Sequence, residues 1–235
     1  VLIRRPKGRG NVHVARGIKK ATLHRGWERV VVCASGPSFS QEQAALLARR
    51  ASVQRSDPLA PLPRGWRVVV TNTSYQKVPT ADVLYGGDRS WWEVYWSKVQ
   101  ATFLGECWTV NRWIAHNYGI CHIEHSDEPG LSPVFGRIHS GGNSGYAAIG
   151  LAYLFGAREI LLVGFDYQDS YGLSHWHGDH PPQLNQDRPH EGWLAKIPAL
   201  IDGLRAAGVR VVNCSIETAI PDDVIPRGDL ATCLS

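Results

Sequence analysis

The sequence predicts an α/β protein with a Rossmann-like, largely parallel sheet carrying helices on both faces. Three observations predict it. Apolar runs of four or five residues end in Gly, Ser, Asn or Asp turns, helical segments stand between those runs, and 235 residues are enough to bury both faces of a sheet. In such a sheet ligands bind outside the carboxyl ends of the strands, so the turns that follow the apolar runs are the first candidates for function.

Residues 30–34 form the first apolar run and end at Ser35, Gly36, Pro37 and Ser38. Residues 41–50 set Ala44, Leu46, Leu47 and Ala48 among polar neighbours and read as a helix capped by Ser38 or Ser40. A strand, a tight turn and a helix start in succession make a place where backbone N–H groups can receive an anion. Residues 66–70 are a second strand ending at Thr71, Asn72 and Thr73, and residues 81–85 lead into Gly86, Gly87 and Asp88. Trp91, Trp92, Tyr95 and Trp96 recur at spacings of three and four, so one helical face carries them, either for packing or as a ligand-binding wall. Residues 108–111 and 119–123 read as short strands, while the polar, Gly/Pro-rich stretch 126–133 reads as a loop. Ser140, Gly141, Gly142, Asn143 and Ser144 precede a small-residue helix over 145–155, followed by a strand at 159–163 that ends in Gly164, Phe165 and Asp166. A long loop spans 167–189, a helix covers 193–207, and a last strand covers 209–213. The turns ending in Ser38, Asn72, Asp88 and Asp166 are expected to converge at one sheet edge.

No apolar stretch reaches the length needed to cross a bilayer, and the first three residues are too short for the core of a secretion signal. The expectation is a soluble, cytoplasmic protein. Cys33, Cys107, Cys121, Cys214 and Cys233 form no C-x-x-C pair and read as reduced thiols. The net charge of +4 is unevenly placed: residues 1–25 hold eight basic groups and no acidic one, whereas the rest carries 17 basic against 21 acidic groups. Residues 1–25 therefore read as a basic arm that either touches a polyanion or is simply solvated, and residues 26–235 as a single domain.

His175, Trp176, His177, Gly178, Asp179 and His180 reproduce the H-x-H-x-D-H spacing of metallo-β-lactamase-like hydrolases, and three imidazoles with a carboxylate can hold zinc. Only one later histidine, His190, follows, and the helix and strand pattern is wrong for two facing mixed sheets, which argues against that hydrolase. A polar loop beside a cleft and an incidental or structural metal both remain as readings of the string.

Over residues 30–220 the order of these motifs resembles the sialyltransferases of bacterial lipooligosaccharide synthesis and their broader relatives, which include phage proteins and a pterin pyrophosphokinase-like group. The turn at Ser35, Gly36, Pro37 and Ser38 looks like the family's nucleotide-binding turn, with Ser35 where an asparagine is usual. Asn72 stands where relatives place a second nucleotide-contacting asparagine. Residues 139–144 resemble the Ser-Gly loop for donor phosphate and sugar, residues 160–167 the strand that completes the pocket, and His190 the histidine base before the last long helix.

The resemblance implies a glycosyltransferase-A-like variant of the fold and an inverting transfer of sugar from a nucleotide-sugar donor to an acceptor hydroxyl, with no tightly bound cofactor. Magnesium or zinc is compatible but not required. His190 is expected to take the acceptor proton, or else to cap the helix after it, and Tyr171 and Tyr167 to donate hydrogen bonds to the leaving phosphate. Asp166 is expected either to orient a ribose or sugar hydroxyl or to satisfy its own turn. The acceptor is expected to be a glycan, a small molecule or a modified base in DNA, and the chain to be monomeric or homo-oligomeric. A magnesium-dependent pyrophosphokinase and a noncatalytic nucleotide-binding protein are the alternatives.

Overall fold

In the computed structural model, which describes residues 17–19, 22–56, 65–184 and 190–235, the apolar runs become strands. They are β1 (Arg29–Cys33), β2 (Trp66–Thr71), β3 (Val83–Tyr85), β4 (Glu106–Thr109), β5 (Cys121–His122), β6 (Glu124–Ser126), β7 (Arg137–His139), β8 (Glu159–Val163) and β9 (Arg210–Asn213). Among the described residues seven of these form one all-parallel sheet in the order β5-β4-β3-β2-β1-β8-β9. The helices are α1 (Gln41–Ser56), α2 (Arg89–Thr102), α3 (Arg112–Tyr118), α4 (Ser144–Leu154), α5 (His190–Leu194), α6 (Ile197–Ala206) and α7 (Leu230–Leu234).

Both sheet faces are covered, which is why the strands show continuous apolar runs rather than polar alternation. Val30 and Val32 enter one core with Ile149 of α4 and Leu204 of α6, while Val31 and Cys33 enter the other with Leu47 of α1 and Trp92 of α2. The alternation follows from the period of two along a strand. It repeats in β8, where Ile160 and Leu162 join the first core and Leu161 and Val163 the second.

Several elements differ from expectation for local reasons. The expected helix over 193–207 is two helices, because Pro198 lies in the first turn of α6, the one helical place where a missing N–H costs nothing. The strand expected at 108–111 stops at Thr109, since the Asn111 side chain accepts from Ile114 N at 3.0 Å and starts α3. The loop expected over 126–133 is flanked by a parallel pair, β6 with β7, whose residues Glu124, His125, Arg137 and His139 are too polar to announce a strand. The aromatic face of α2 is mostly core: Trp91 and Trp92 are buried, and Tyr95 and Trp96 pack against the same cluster.

All five cysteines are free thiols. Of the basic arm, residues 1–16 and 20–21 lie outside the described residues. Lys19 and Arg25 both pair with Glu106, and Arg25 also lies 4.5 Å from the ring centre of Phe155. These two charges therefore pack on the body of the fold. No helix among the described residues is long and apolar enough to cross a membrane.

Candidate functional site

β1 lies between β2 and β8, so the chain leaves it in one direction and returns on its other side. The strand order thus reverses at β1, and the helices that follow β1 and β8 lie on opposite faces of the sheet, the arrangement that leaves a crevice beyond the strand ends. A cleft of about 220 Å³ opens there. Its floor is built from Ser35 and Gly36 after β1, Asn72 after β2 and the turn from Gly164 to Tyr167 after β8. Gly142, Asn143, Ser144 and Gly145 bring the amino end of α4 into the same cleft, and His175, His180, His190 and Trp193 complete its lining, with Trp193 against Gly142.

The floor depends on two glycines. A Cβ on Gly36 would lie 2.1 Å from Asp166 Oδ1 and 2.5 Å from Gly164 O, and one on Gly164 would lie 2.9 Å from Ala34 O. With no side chains there, Gly36 N donates to Gly164 O at 2.9 Å and the two turns touch. The clasp is completed by Ser38, whose N–H and hydroxyl donate to the two carboxylate oxygens of Asp166, each at 2.8 Å. Asp166 is 1% exposed, and loss of water raises its pKa to about 6, while the Ser38 hydrogen bonds pull the other way. Both carboxylate oxygens of Asp166 thus have partners within the turn.

The sequence placed an anion at the start of α1, but that helix start has its own partners. Gln43 N donates to Ser40 Oγ at 3.1 Å and Ser40 N donates to Gln43 Oε1 at 3.4 Å, a reciprocal capping box. Pro37 and Ser38 accordingly do not line the cleft. The helix start that does is α4. Asn143 Oδ1 accepts from Tyr146 N at 2.9 Å, leaving the preceding N–H groups of Ser144 and Gly145 at the cleft wall. Behind them Ser140 donates to Asp127 Oδ1 at 2.6 Å, and Gly141 has a left-handed φ of 57° at a place where a Cβ would also sit 2.3 Å from the Tyr146 ring, so that glycine is required on both counts. Lys196, between α5 and α6, donates to Gly141 O at 3.1 Å and adds a positive charge beside this loop.

Among the described residues three non-glycine residues have a left-handed backbone: Asn72, Tyr167 and Tyr171. Asparagine tolerates this conformation, whereas each tyrosine stores strain of about 1–3 kcal/mol, a cost that collects at functional turns. Asn72 Oδ1 accepts from Ser144 Oγ at 3.4 Å, joining the β2 turn to α4 across the cleft. Tyr167 lines the cleft near Asn143, 3.5 Å from its Nδ2, and burial pushes its phenol well above the ordinary value. Tyr171 does not line the cleft; it is 70% exposed and its hydroxyl donates to Glu217 Oε1 at 3.5 Å.

His190 begins α5 with Nε2 3.5 Å from Asp169 Oδ1 and its ring edge-on to Trp193, centroids 5.7 Å apart. It lines the cleft together with the amino end of α4. Asp88 also lines the cleft, and the loss of water there holds its carboxyl above the usual range. Trp91 serves both as core and as cleft wall, so both readings of the aromatic face apply to it. Trp193, Lys196 and Asp169 were not read as site residues from the sequence; only the position of Trp193 and Lys196 beside His190 hinted at them. Among the described residues no group of three or more His, Cys, Asp or Glu side chains is posed to hold a metal ion as those side chains stand.

Fold and site together define a Rossmann-like α/β protein with a cleft at its topological switch point. No family model matches the chain, and neither a curated protein nor a solved structure matches it significantly.

Proposed function

We propose that the chain is a nucleotide-sugar-dependent glycosyltransferase of the inverting kind, built on a glycosyltransferase-A-like variant of the parallel-sheet fold. One observation carries the reading: a single cleft is lined by the amino end of α4, by His190 and by the Gly36 turn. A helix start carries about half a positive charge and free N–H groups, which suit a phosphate. Lys196 adds a full charge beside the loop that leads into α4.

In this mechanism the donor phosphate sits at Ser144 and Gly145, and the acceptor hydroxyl approaches from the side of His190. The imidazole takes the hydroxyl proton while the acceptor oxygen bonds to the anomeric carbon of the sugar. The bond from that carbon to the donor phosphate breaks, and its electron pair leaves with the nucleotide. Asp169 Oδ1, 3.5 Å from Nε2, holds the ring in its orientation. Tyr167 and Asn143 stand where the departing phosphate gains charge, and Trp91 offers an apolar wall to a base or sugar ring.

A binding screen of nucleotides and nucleotide sugars, followed by mass spectrometry of products with candidate acceptors, tests the reading. His190→Ala is expected to keep donor affinity and to lower transfer by about 10²–10⁴-fold. A folded variant that loses donor binding and transfer equally would show His190 to be structural. Magnesium-dependent release of AMP, with no sugar transferred, would identify a pyrophosphokinase instead.

A further inference from the structure

We infer that His175, His177 and His180 form the protein side of a transition-metal site, of the zinc class, at the mouth of the cleft. Their ring centres make a nearly equilateral triangle, with separations of 5.0 Å, 4.8 Å and 4.7 Å. Three imidazoles on one tetrahedral zinc, with Zn–N bonds of about 2.0–2.1 Å, set their ring centres roughly 5 Å apart. The observed spacing fits three imidazoles on one ion.

As the side chains stand, their donor nitrogens do not meet at an ion. The proposed site forms by rotation of the rings. The Cβ–Cγ bond of histidine points close to the ring centre, so turning about it redirects Nδ1 and Nε2 while leaving the centre-to-centre distances nearly unchanged. That torsion is broad and soft.

The backbone beneath the triad is held in place. Trp176, between the first two histidines, donates from N to Ser35 O at 3.2 Å and from Nε1 to Ser74 Oγ at 3.3 Å, and Lys77 Nζ lies 4.7 Å from the centre of its ring. Gly178, with a φ of 76°, turns the chain toward His180, and its N–H donates to His175 O at 3.0 Å. His175 and His180 line the cleft whereas His177 does not. A bound ion therefore has protein nitrogen on one side and the cleft on the other, the open arrangement of reactive rather than purely structural zinc sites. Three imidazoles favour zinc and its neighbours over magnesium or calcium, which prefer oxygen. The remaining position is filled by an oxygen of an anionic ligand in the cleft; this last element alone rests on the phosphate-binding reading above.

The full chain, stripped with a chelator, is titrated with cobalt(II) and zinc(II). One equivalent is expected to bind, with the intense visible absorption of four- or five-coordinate cobalt. X-ray absorption of the zinc-loaded, unsubstituted protein is expected to show the outer-shell scattering of three imidazoles. His177→Ala, outside the cleft lining, is expected to lower zinc affinity about 100-fold or more with an unchanged circular dichroism spectrum. Failure to bind one equivalent, or a zinc spectrum without imidazole scattering, overturns the site whether or not any variant folds. Pyrophosphate is expected to shift the cobalt spectrum; a spectrum it leaves unmoved overturns the cleft-side ligand. None of these readouts depends on nucleotide-sugar turnover, so the metal site and the transfer reaction fail separately.

Discussion

Gly36 concentrates the chemistry of the cleft floor in one missing side chain. Gly36→Ala would place a methyl group against the Asp166 carboxylate and the Gly164 carbonyl. Overpacking of this kind costs about 1–3 kcal/mol, and each kcal/mol lowers the melting temperature of a chain this size by about 2–4 °C. Thermal unfolding is expected to show that loss together with weaker ligand binding, since the two turns must separate. Asp166 contributes a pH dependence of definite sign. Its carboxyl titrates at about 6 in the fold against an ordinary 3.8, so the native chain holds this proton more tightly than the unfolded one. Its contribution is full below about pH 4 and is lost as pH rises through about 6, a change of about 3 kcal/mol. Urea unfolding of the native chain and of Asp166→Asn at pH 4 to 7 checks this. The stability of the native chain relative to the variant is expected to fall across that range, and a constant difference would contradict it.

At the scale of elements, two helices start near the sheet edge, and only one of them opens on the cleft. α1 is closed by Ser40 and Gln43, whereas α4 is capped by Asn143 alone and lies open to the cleft. Asn143→Ala is expected to cost about 1 kcal/mol of stability by loss of the cap. It is also expected to weaken phosphate binding, whereas Ser40→Ala, with a similar loss of stability, leaves binding unchanged. Isothermal titration with a nucleotide, beside chemical denaturation, separates the two effects. The break between α5 and α6 belongs to the same scale: it lets Lys196 reach back to Gly141 and places Trp193 against Gly142. A single unbroken helix would carry these side chains around its axis at fixed intervals, without that turn.

At the scale of the whole molecule, the strand order brings residues 36, 72, 144, 166 and 190 to one edge of the sheet although they span most of the chain. Charge is distributed on the same scale. Lys19 and Arg25 are engaged by Glu106, so the remaining excess of the basic arm lies within residues 1–16 and at Lys20. If the acceptor is a base in DNA, binding is expected to weaken steeply with salt, with a logarithmic slope of about 0.9 per phosphate neutralised. Deleting residues 1–16 is expected to flatten that slope. Transfer indifferent to both salt and deletion would exclude nucleic acid as the acceptor.

The sequence by itself determined the strands at the centre of the sheet, because a strand covered on both faces is mostly apolar and the runs 30–33, 68–70 and 160–163 are wholly so. It also marked the turns after them, since Gly36, Gly141 and Gly164 interrupt the apolar pattern where the backbone must turn or approach closely. It did not reveal β6 and β7, whose pairing is made by backbone groups beneath polar side chains. Only the tertiary structure decided that Ser38 belongs to Asp166, that α4 rather than α1 opens on the cleft, and that Tyr171 stands outside it. Each of these depends on which distant turns the parallel sheet sets side by side, and hydrogen bonds across 128 residues leave no trace in local spacing.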